Sequence, residues 1–126
     1  MINYHEIVTR YILSSSHYSA LNSRVKPRAL EPSNSDHCTS VFRIFDFTEP
    51  EIWQLGEDNV STPNHLTLHA RADFSVLTVQ SLNLDIKPDE PPIRHSLIFG
   101  WPTEKHAMMA VANDLAARAS LVINPK

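Results

Sequence analysis

Three groups of residues in this sequence combine histidine with arginine and hydroxyl side chains, and their chemistry is the most specific in the chain. Histidine transfers protons near neutral pH, and the planar arginine side chain binds phosphate or carboxylate oxygens through paired hydrogen bonds. Side chains of these types could bind and cleave a phosphodiester without a metal ion. The groups are Ser-Ser-Ser-His-Tyr-Ser at residues 14–19 with Arg24, Lys26 and Arg28 after it, His-Ala-Arg-Ala-Asp at residues 69–73, and Arg-His-Ser at residues 94–96.

The first group contains the fullest set of side chains for binding a phosphate ester. It lies in a hydroxyl-rich loop, and loops held by a rigid scaffold commonly carry binding residues. We predict that His17 transfers the proton and that Lys26 is a second catalytic residue. An alternative interpretation is a mobile polar loop with an exposed histidine. We predict six substrate-binding residues in this group. The serine hydroxyls would bind phosphate oxygens, the tyrosine ring would stack on a base and the arginines would bind phosphates: Ser15, Ser16, Ser19, Tyr18, Arg24 and Arg28.

The second group lies on a predicted strand at residues 66–74, where apolar and polar residues alternate. Alternation places His69, Arg71 and Asp73 on the polar side of that strand. That side is either a binding surface, with Asp73 orienting its neighbours, or a solvated face with an ion pair worth a few tenths of a kcal/mol. We include Arg71 among the predicted substrate-binding residues.

The third group begins another predicted strand, directly after Pro91 and Pro92. Alternation sends Arg94 to one side and His95 to the other, together with Leu97. We therefore expect His95 to face the core. Arg94 could still reach an anion, and it completes the predicted substrate-binding set.

Composition and charge limit the classes of protein that fit. A chain of 126 residues with 42% hydrophobic and 20% charged residues is typical of one globular domain, residues 1–126. It has no apolar run of the roughly 18 residues that span a bilayer, no signal peptide and one cysteine, so we expect a cytoplasmic protein. The net charge of −3 argues against binding long nucleic acid, while a small anion could still bind a local basic pocket.

Several familiar kinds of site do not fit the sequence. Gly56 and Gly100 are the only glycines, so there is no glycine-rich phosphate loop. The spacing of histidine, cysteine and acidic residues matches no zinc or two-metal site. We therefore expect no metal and no cofactor.

The pattern of elements predicts an α+β domain. We expect a small mixed or antiparallel sheet of about five strands, with one short helix and a C-terminal amphipathic helix packed on it. A capping box at Thr48 and Glu51 begins the short helix, Gly56 suits its end, and Thr103 is expected to cap the last helix. The predicted strands are residues 7–14, 41–47, 66–74, 76–86 and 93–99, with an irregular edge piece at 24–30, and the last helix presents Met108, Val111, Leu115, Ala119 and Val122.

An ordered set of motifs spans nearly the whole chain: Ser-Ser-Ser-His-Tyr-Ser, Arg-Val-Lys-Pro-Arg-Ala, Thr-Ser-Val-Phe-Arg, His-Ala-Arg-Ala-Asp, Pro-Pro-Ile-Arg-His and Gly-Trp-Pro. The set resembles small bacterial proteins associated with mobile elements and antiviral defence. Within that setting the chain is similar to CRISPR-associated ring nucleases, which degrade cyclic oligoadenylate messengers. Those nucleases occupy several unrelated folds, so the resemblance implies an activity and assigns no residue.

We accordingly predict a metal-independent phosphodiesterase that acts on a small RNA-like ligand. Histidine would assist attack by the ribose 2′-hydroxyl, and a cation would stabilise the crowded phosphorus centre. Cyclic oligoadenylate is the specific candidate. A symmetric ring would suit a homodimer, the commonest oligomer.

Two other functions fit parts of the sequence. The first is a non-enzymatic adaptor in a defence or mobile-element system, in which the acidic residues 46–58 around Trp53 would dock a basic protein. The second is an ADP-ribosyl-type enzyme or toxin fragment, for which a catalytic glutamate in the usual strand context is lacking.

Overall fold

The computed structural model describes residues 2–126 and shows an α+β fold, as predicted. Every strand pairing in it is antiparallel. No helix in this part of the chain is long and apolar enough to cross a membrane. The strands are β1 Ile7–Ile12, β2 Tyr18–Ser19, β3 Arg24–Val25, β4 Thr39–Arg43, β5 Ala70–Ser75, β6 Asp85–Pro88, β7 His95–Phe99 and β8 Ser120–Ile123, and the helices are α1 Glu49–Gly56, α2 Thr62–Asn64, α3 Val76–Ser81 and α4 Lys105–Arg118.

The main sheet has six strands in the order β6-β7-β4-β1-β5-β8, and β2 pairs with β3 in a separate small hairpin. About five strands were predicted. The difference comes from β8, whose residues had been assigned to the end of the last helix, and from the hairpin. Short 3₁₀ turns at Ser15–His17 and Pro27–Ala29 flank the hairpin, so residues 24–30 form a strand only at Arg24–Val25.

The two faces of the main sheet are covered differently. Helices α3 and α4 pack on one face, where Val8 and Ile12 of β1 lie in the larger core. On the opposite face, α1 covers Tyr11 in a smaller core that also contains Trp53. Because α1 does not extend over β6 and β7, His95 and its neighbours on that side stay partly exposed. This uncovered half of the sheet is where a groove forms.

Helix α1 begins as predicted and ends differently. The Thr48 side chain accepts a hydrogen bond from the Glu51 N–H while the Glu51 side chain binds the Thr48 N–H, which is the predicted capping box. Gly56 does not end the helical path, because a π turn at Glu57–Ser61 and then α2 carry it on to Asn64. This continuation forms one wall of the groove.

The strand predicted at residues 76–86 is wrong over its first half. The Ser75 hydroxyl accepts a hydrogen bond from the Thr78 N–H and caps α3 instead. Val76 and Val79, three residues apart, then face the core from one side of that helix. Only the last residues of the predicted strand are extended, as the start of β6.

The last helix also has different ends from those predicted. The Glu104 side chain, not that of Thr103, accepts hydrogen bonds from the N–H groups of the first turn. The helix ends at Arg118, so Val122 lies in β8 and not on the helical stripe. The helix packs on the sheet as expected, with Leu115 fully buried in the larger core.

Gly56 is required by a close approach between α1 and β1. A Cβ atom at this position would lie 2.5 Å from Cε1 of Tyr11, closer than side chains tolerate. The same tyrosine donates its hydroxyl hydrogen to the carbonyl oxygen of Ile52, and its burial raises the pKa of the phenol. The helix backbone therefore rests directly on the Tyr11 ring, which forms part of the groove floor.

We predict that Gly56→Ala destabilises the protein by about 1–3 kcal/mol, the usual cost of forcing extra volume into a packed core. Urea unfolding monitored by circular dichroism measures the change. Gln54→Ala, an exposed position on the same helix, should change the free energy of unfolding by no more than about 0.5 kcal/mol. Equal effects of the two substitutions would show that the contact with Tyr11 is unimportant.

Candidate functional site

A continuous groove crosses the partly uncovered face of the main sheet. It consists of two concavities of about 470 and 510 Å³ that share five lining residues, and we call their union the sheet groove. Side chains of β1, β4 and β7 form its floor, and the π turn with α2 forms its wall. The shared residues are Arg10, Tyr11, Leu13, Val60 and Leu66.

Arg10 lies where β1 separates from β4. These strands pair only at Val8 with Arg43 and Thr9 with Phe42, although both continue further. Beyond that point the Arg10 Nε donates to the carbonyl oxygen of Ala29 at 3.0 Å, and its Nη1 donates to that of Ser40 at 3.0 Å. The guanidinium therefore links β1 to β4 and to the 3₁₀ turn at Pro27–Ala29.

Arg10 has no counter-charge among the described residues. No carboxylate of residues 2–126 forms an ion pair with it, and its Nη2 group has no hydrogen-bond partner. Burial lowers the pKa of the guanidinium, but an arginine side chain keeps its charge in proteins. A partly buried cation without a counter-charge raises the free energy of the folded protein, and an anion bound in the groove would lower it.

His17 lines the same end of the groove as Arg10. It is the last residue of the 3₁₀ turn that follows β1, and its ring is partly buried. Burial lowers the pKa of His17, the positive charges of Arg10 and Arg28 lower it further, and Glu31 acts in the opposite direction. A neutral imidazole is thus favoured near pH 7, which is the form that accepts a proton.

The other end of the groove is lined by aromatic and amide side chains. His95 pairs across the sheet with Phe42, with ring centroids 5.2 Å apart and an edge-to-face arrangement. Its Nδ1 contacts the backbone oxygen of Asp89 at 2.9 Å and the carboxylate of the same residue at 3.2 Å, so Nε2 is the nitrogen without a partner. Asn59 and Asn64 use their amide N–H groups on helical carbonyls, which leaves both amide oxygens as acceptors.

The structure places the residues of the first predicted group around one end of the groove, but few of them line it. His17 does so together with Ser14, whose hydroxyl caps the 3₁₀ turn. Ser15 and Ser16 are exposed on that turn, and Tyr18 and Ser19 are partly exposed in the hairpin strand β2. Lys26 and Arg28 are exposed residues near enough to lower the pKa of His17, while Arg24 lines a separate concavity beside α4.

Arg71 does not take part in this arrangement. It is 3% exposed, lies with its guanidinium carbon 4.8 Å from the centre of the Trp53 ring, and forms ion pairs with Glu49 at 2.8 Å and Asp73 at 3.1 Å. Its Nε, Nη1 and Nη2 atoms all donate hydrogen bonds to these two carboxylates, so its charge is already neutralised within the protein. The side chain fastens α1 to the sheet.

Arg94 is also placed away from the groove. Its guanidinium carbon lies 4.9 Å from the centre of the Phe47 ring and 5.2 Å from that of Phe45, and its Nη2 pairs with Asp46 at 2.9 Å. The neighbouring His95 does face the same side as Leu97, as alternation required. That side, however, is the open face of the sheet and not the expected core.

Arg10, Asn59 and Asn64 are groove residues that were not predicted from the sequence. One signal was available for Arg10, because it is the single charged residue inside the strand sequence Ile-Val-Thr-Arg-Tyr-Ile. A charged residue within such a strand requires a partner or a ligand. Nothing in the sequence indicates that β4 separates from β1 beside it.

No protein-family model, no curated protein and no solved structure matches this chain. Within residues 2–126, no three or more histidine, cysteine, aspartate and glutamate side chains are grouped so that they could hold a metal ion.

We predict that replacing Arg10 by methionine raises the pKa of His17, because a positive charge near the imidazole is removed. A pH titration of the histidine ring signals by NMR measures this directly. Arg118→Met, which removes an exposed charge on α4, should leave the His17 titration unchanged. If both substitutions leave His17 unchanged, Arg10 and His17 do not share one electrostatic environment.

Proposed function

We propose that this protein is a cytoplasmic, metal-independent phosphodiesterase that cleaves a small RNA-like ligand in the sheet groove. The observation that carries the proposal is the juxtaposition of Arg10, a cation without a counter-charge, and His17, a histidine kept neutral by its surroundings. An anion-binding group beside a proton acceptor is what cleavage of an RNA phosphodiester requires.

The proposed reaction uses the ribose of the ligand as its own nucleophile. His17 removes the proton of the 2′-hydroxyl, the resulting oxygen attacks phosphorus, and the bond from phosphorus to the 5′-oxygen breaks. Arg10 donates hydrogen bonds to the non-bridging oxygens as negative charge develops on them. The leaving 5′-oxygen takes a proton from the Lys26 ammonium, so the products are a 2′,3′-cyclic phosphate and a 5′-hydroxyl.

The opposite end of the groove offers contacts for a nucleobase. The amide oxygens of Asn59 and Asn64 can accept hydrogen bonds from an exocyclic amino group such as that of adenine. The partly exposed His95 ring offers a flat surface and an unpartnered Nε2. These contacts support adenylate among the RNA-like ligands, and cyclic oligoadenylate is the specific substrate we propose.

A ring of identical nucleotides also bears on the oligomeric state. A ring of four or six identical nucleotides has a twofold axis, so two copies of one groove can bind it symmetrically about that axis. We propose a homodimer on this ground.

We predict that the purified protein, in the presence of EDTA, converts cyclic tri-, tetra- or hexa-adenylate into linear products. His17→Ala should slow cleavage at least tenfold with ring binding largely kept, because one proton-transfer group is worth about 10²–10⁴ in rate. Arg10→Met should lower the rate by about 10²–10³ by removing charge stabilisation. Chromatography of the products and mass analysis of their ends measure both effects.

His106→Ala is the matched control, because His106 is 92% exposed on α4 and does not line the sheet groove. Its cleavage rate should equal that of the unmodified protein. Intact rings, together with no thermal stabilisation of the protein by them, would contradict the proposal. Full activity in the His17→Ala variant would remove His17 from the mechanism.

The pH dependence of the rate gives a separate prediction. The acid limb of kcat/KM reports the pKa of the proton acceptor in the free enzyme. Because burial and nearby positive charges lower the pKa of His17, this limb should lie below the ordinary histidine pKa of about 6.5. A stopped assay across the acid range measures it, and an acid limb above that value would point to a different base.

A further inference from the structure

A second concavity, of about 580 Å³, lies on the far side of α1 from the sheet groove. We call it the edge cleft, because it opens beside β8, the last strand of the main sheet. Its apolar lining includes Pro50 and Trp53 of α1 and Val122 of β8, and Glu49 and Glu57 contribute carboxylates.

The outer edge of β8 offers unpaired backbone groups next to this cleft. Asn124 donates its N–H to the carbonyl oxygen of His69, and β8 continues from there in antiparallel register with β5. Backbone groups alternate in direction along such a pair, so those of Leu121 and Ile123 point away from β5. Within residues 2–126, no strand pairs with β8 on that side.

The charge around the edge cleft is negative. Arg71 beneath the cleft is shared by Glu49 and Asp73, so one positive charge faces two carboxylates. Glu57 in the lining is a further carboxylate without an ion-pair partner in the described part of the chain. Lys126 is the basic residue of the lining. Carboxylates beside an apolar floor favour a ligand that carries positive charge on both sides of an apolar group.

We propose that the edge cleft binds an extended, basic segment of a partner protein, added as a strand along β8. Every second side chain along a strand points to the same face of the sheet. The side chains of the added strand that point to the same face as Val122 enter the cleft. Among them, an apolar side chain lies near Trp53, and a lysine or arginine on each side of that apolar residue lies near the carboxylates. Main-chain hydrogen bonds to Leu121 and Ile123 supply affinity, and the cleft supplies selectivity.

This binding does not depend on the phosphodiesterase proposal. The edge cleft and the sheet groove have no lining residue in common. The edge cleft is lined by α1 and Glu57, whereas the groove is lined by later residues of the π turn and α2. The cleft also gives a structural basis for the adaptor function that the acidic sequence suggested. A protein with both surfaces could cleave a nucleotide and bind a partner at the same time.

The test uses a fluorescent peptide, Ser-Lys-Thr-Leu-Thr-Lys-Ser, and a matched acidic peptide, Ser-Glu-Thr-Leu-Thr-Glu-Ser. Fluorescence anisotropy at low ionic strength should show saturable binding of the basic peptide only, weakened by added salt. Glu57→Lys should weaken that binding at least tenfold. Backbone amide NMR should show the largest shifts at Leu121 and Ile123 and at the indole N–H of Trp53.

Ile123→Pro tests the strand pairing itself. Proline removes an outward N–H and leaves the hydrogen bonds between β5 and β8 intact, so the fold should persist in circular dichroism. Binding should fall at least tenfold, whereas Ile123→Thr should keep it within about twofold, because the outward N–H that supplies the main-chain hydrogen bond is retained. The cleavage activity of Ile123→Pro on cyclic oligoadenylate should be unchanged, which separates a failure here from a failure of the groove.

Three results would overturn the proposal. Equal binding of the two peptides would show that charge does not select the ligand. Binding that survives Ile123→Pro in a folded protein would show that no strand is added at β8. Sedimentation that shows a dimer of the free protein, dissociated by Ile123→Pro, would show that a second copy of this chain occupies the edge.

Discussion

The separation of β1 from β4 determines where a positive charge and a groove lie on the main sheet. β1 pairs with β5 along its whole length, from Ile7 to Ile12, but its ladder with β4 stops at Thr9. The opening that results is too polar to leave empty, since it exposes the carbonyl oxygens of Ala29 and Ser40. Arg10 satisfies both of them, and this fixes a positive charge in the groove.

The arginines of the sheet show how far the surroundings decide the role of a residue type. Arg43 pairs with the buried Glu6 at 2.7 Å, and Arg71 is enclosed by two carboxylates. Both are neutralised, and both join elements that are distant in the sequence. Arg10 bonds only to neutral carbonyl oxygens, so its charge remains available to a ligand. Carboxylates pair with the first two arginines, and none of residues 2–126 pairs with the third, which is why Arg10 is the arginine that enters our functional proposal.

One helical segment shapes both candidate surfaces. Trp53 of α1 and Glu57, the first residue of the π turn, line the edge cleft, whereas Asn59 and Val60 later in the same turn line the sheet groove. The close contact of Gly56 with Tyr11 holds this segment against the sheet. The two surfaces therefore have opposite charge but share one support, which allows a positive groove and a negative cleft within a small fold.

Local patterns in the sequence determined the α+β class, the capping box at Thr48 and the approximate positions of β1, β4 and β7, because alternation and capping depend on neighbouring residues. They did not distinguish the helix at Val76–Ser81 from a strand, since a short apolar run fits both. They identified His17 as a candidate catalytic residue and Arg71 as a candidate ligand-binding residue. The sequence does not show that Glu49 neutralises Arg71 or that no carboxylate of residues 2–126 pairs with Arg10. These pairings follow from the tertiary structure, because the partners of a charged side chain are set by which strands and helices meet.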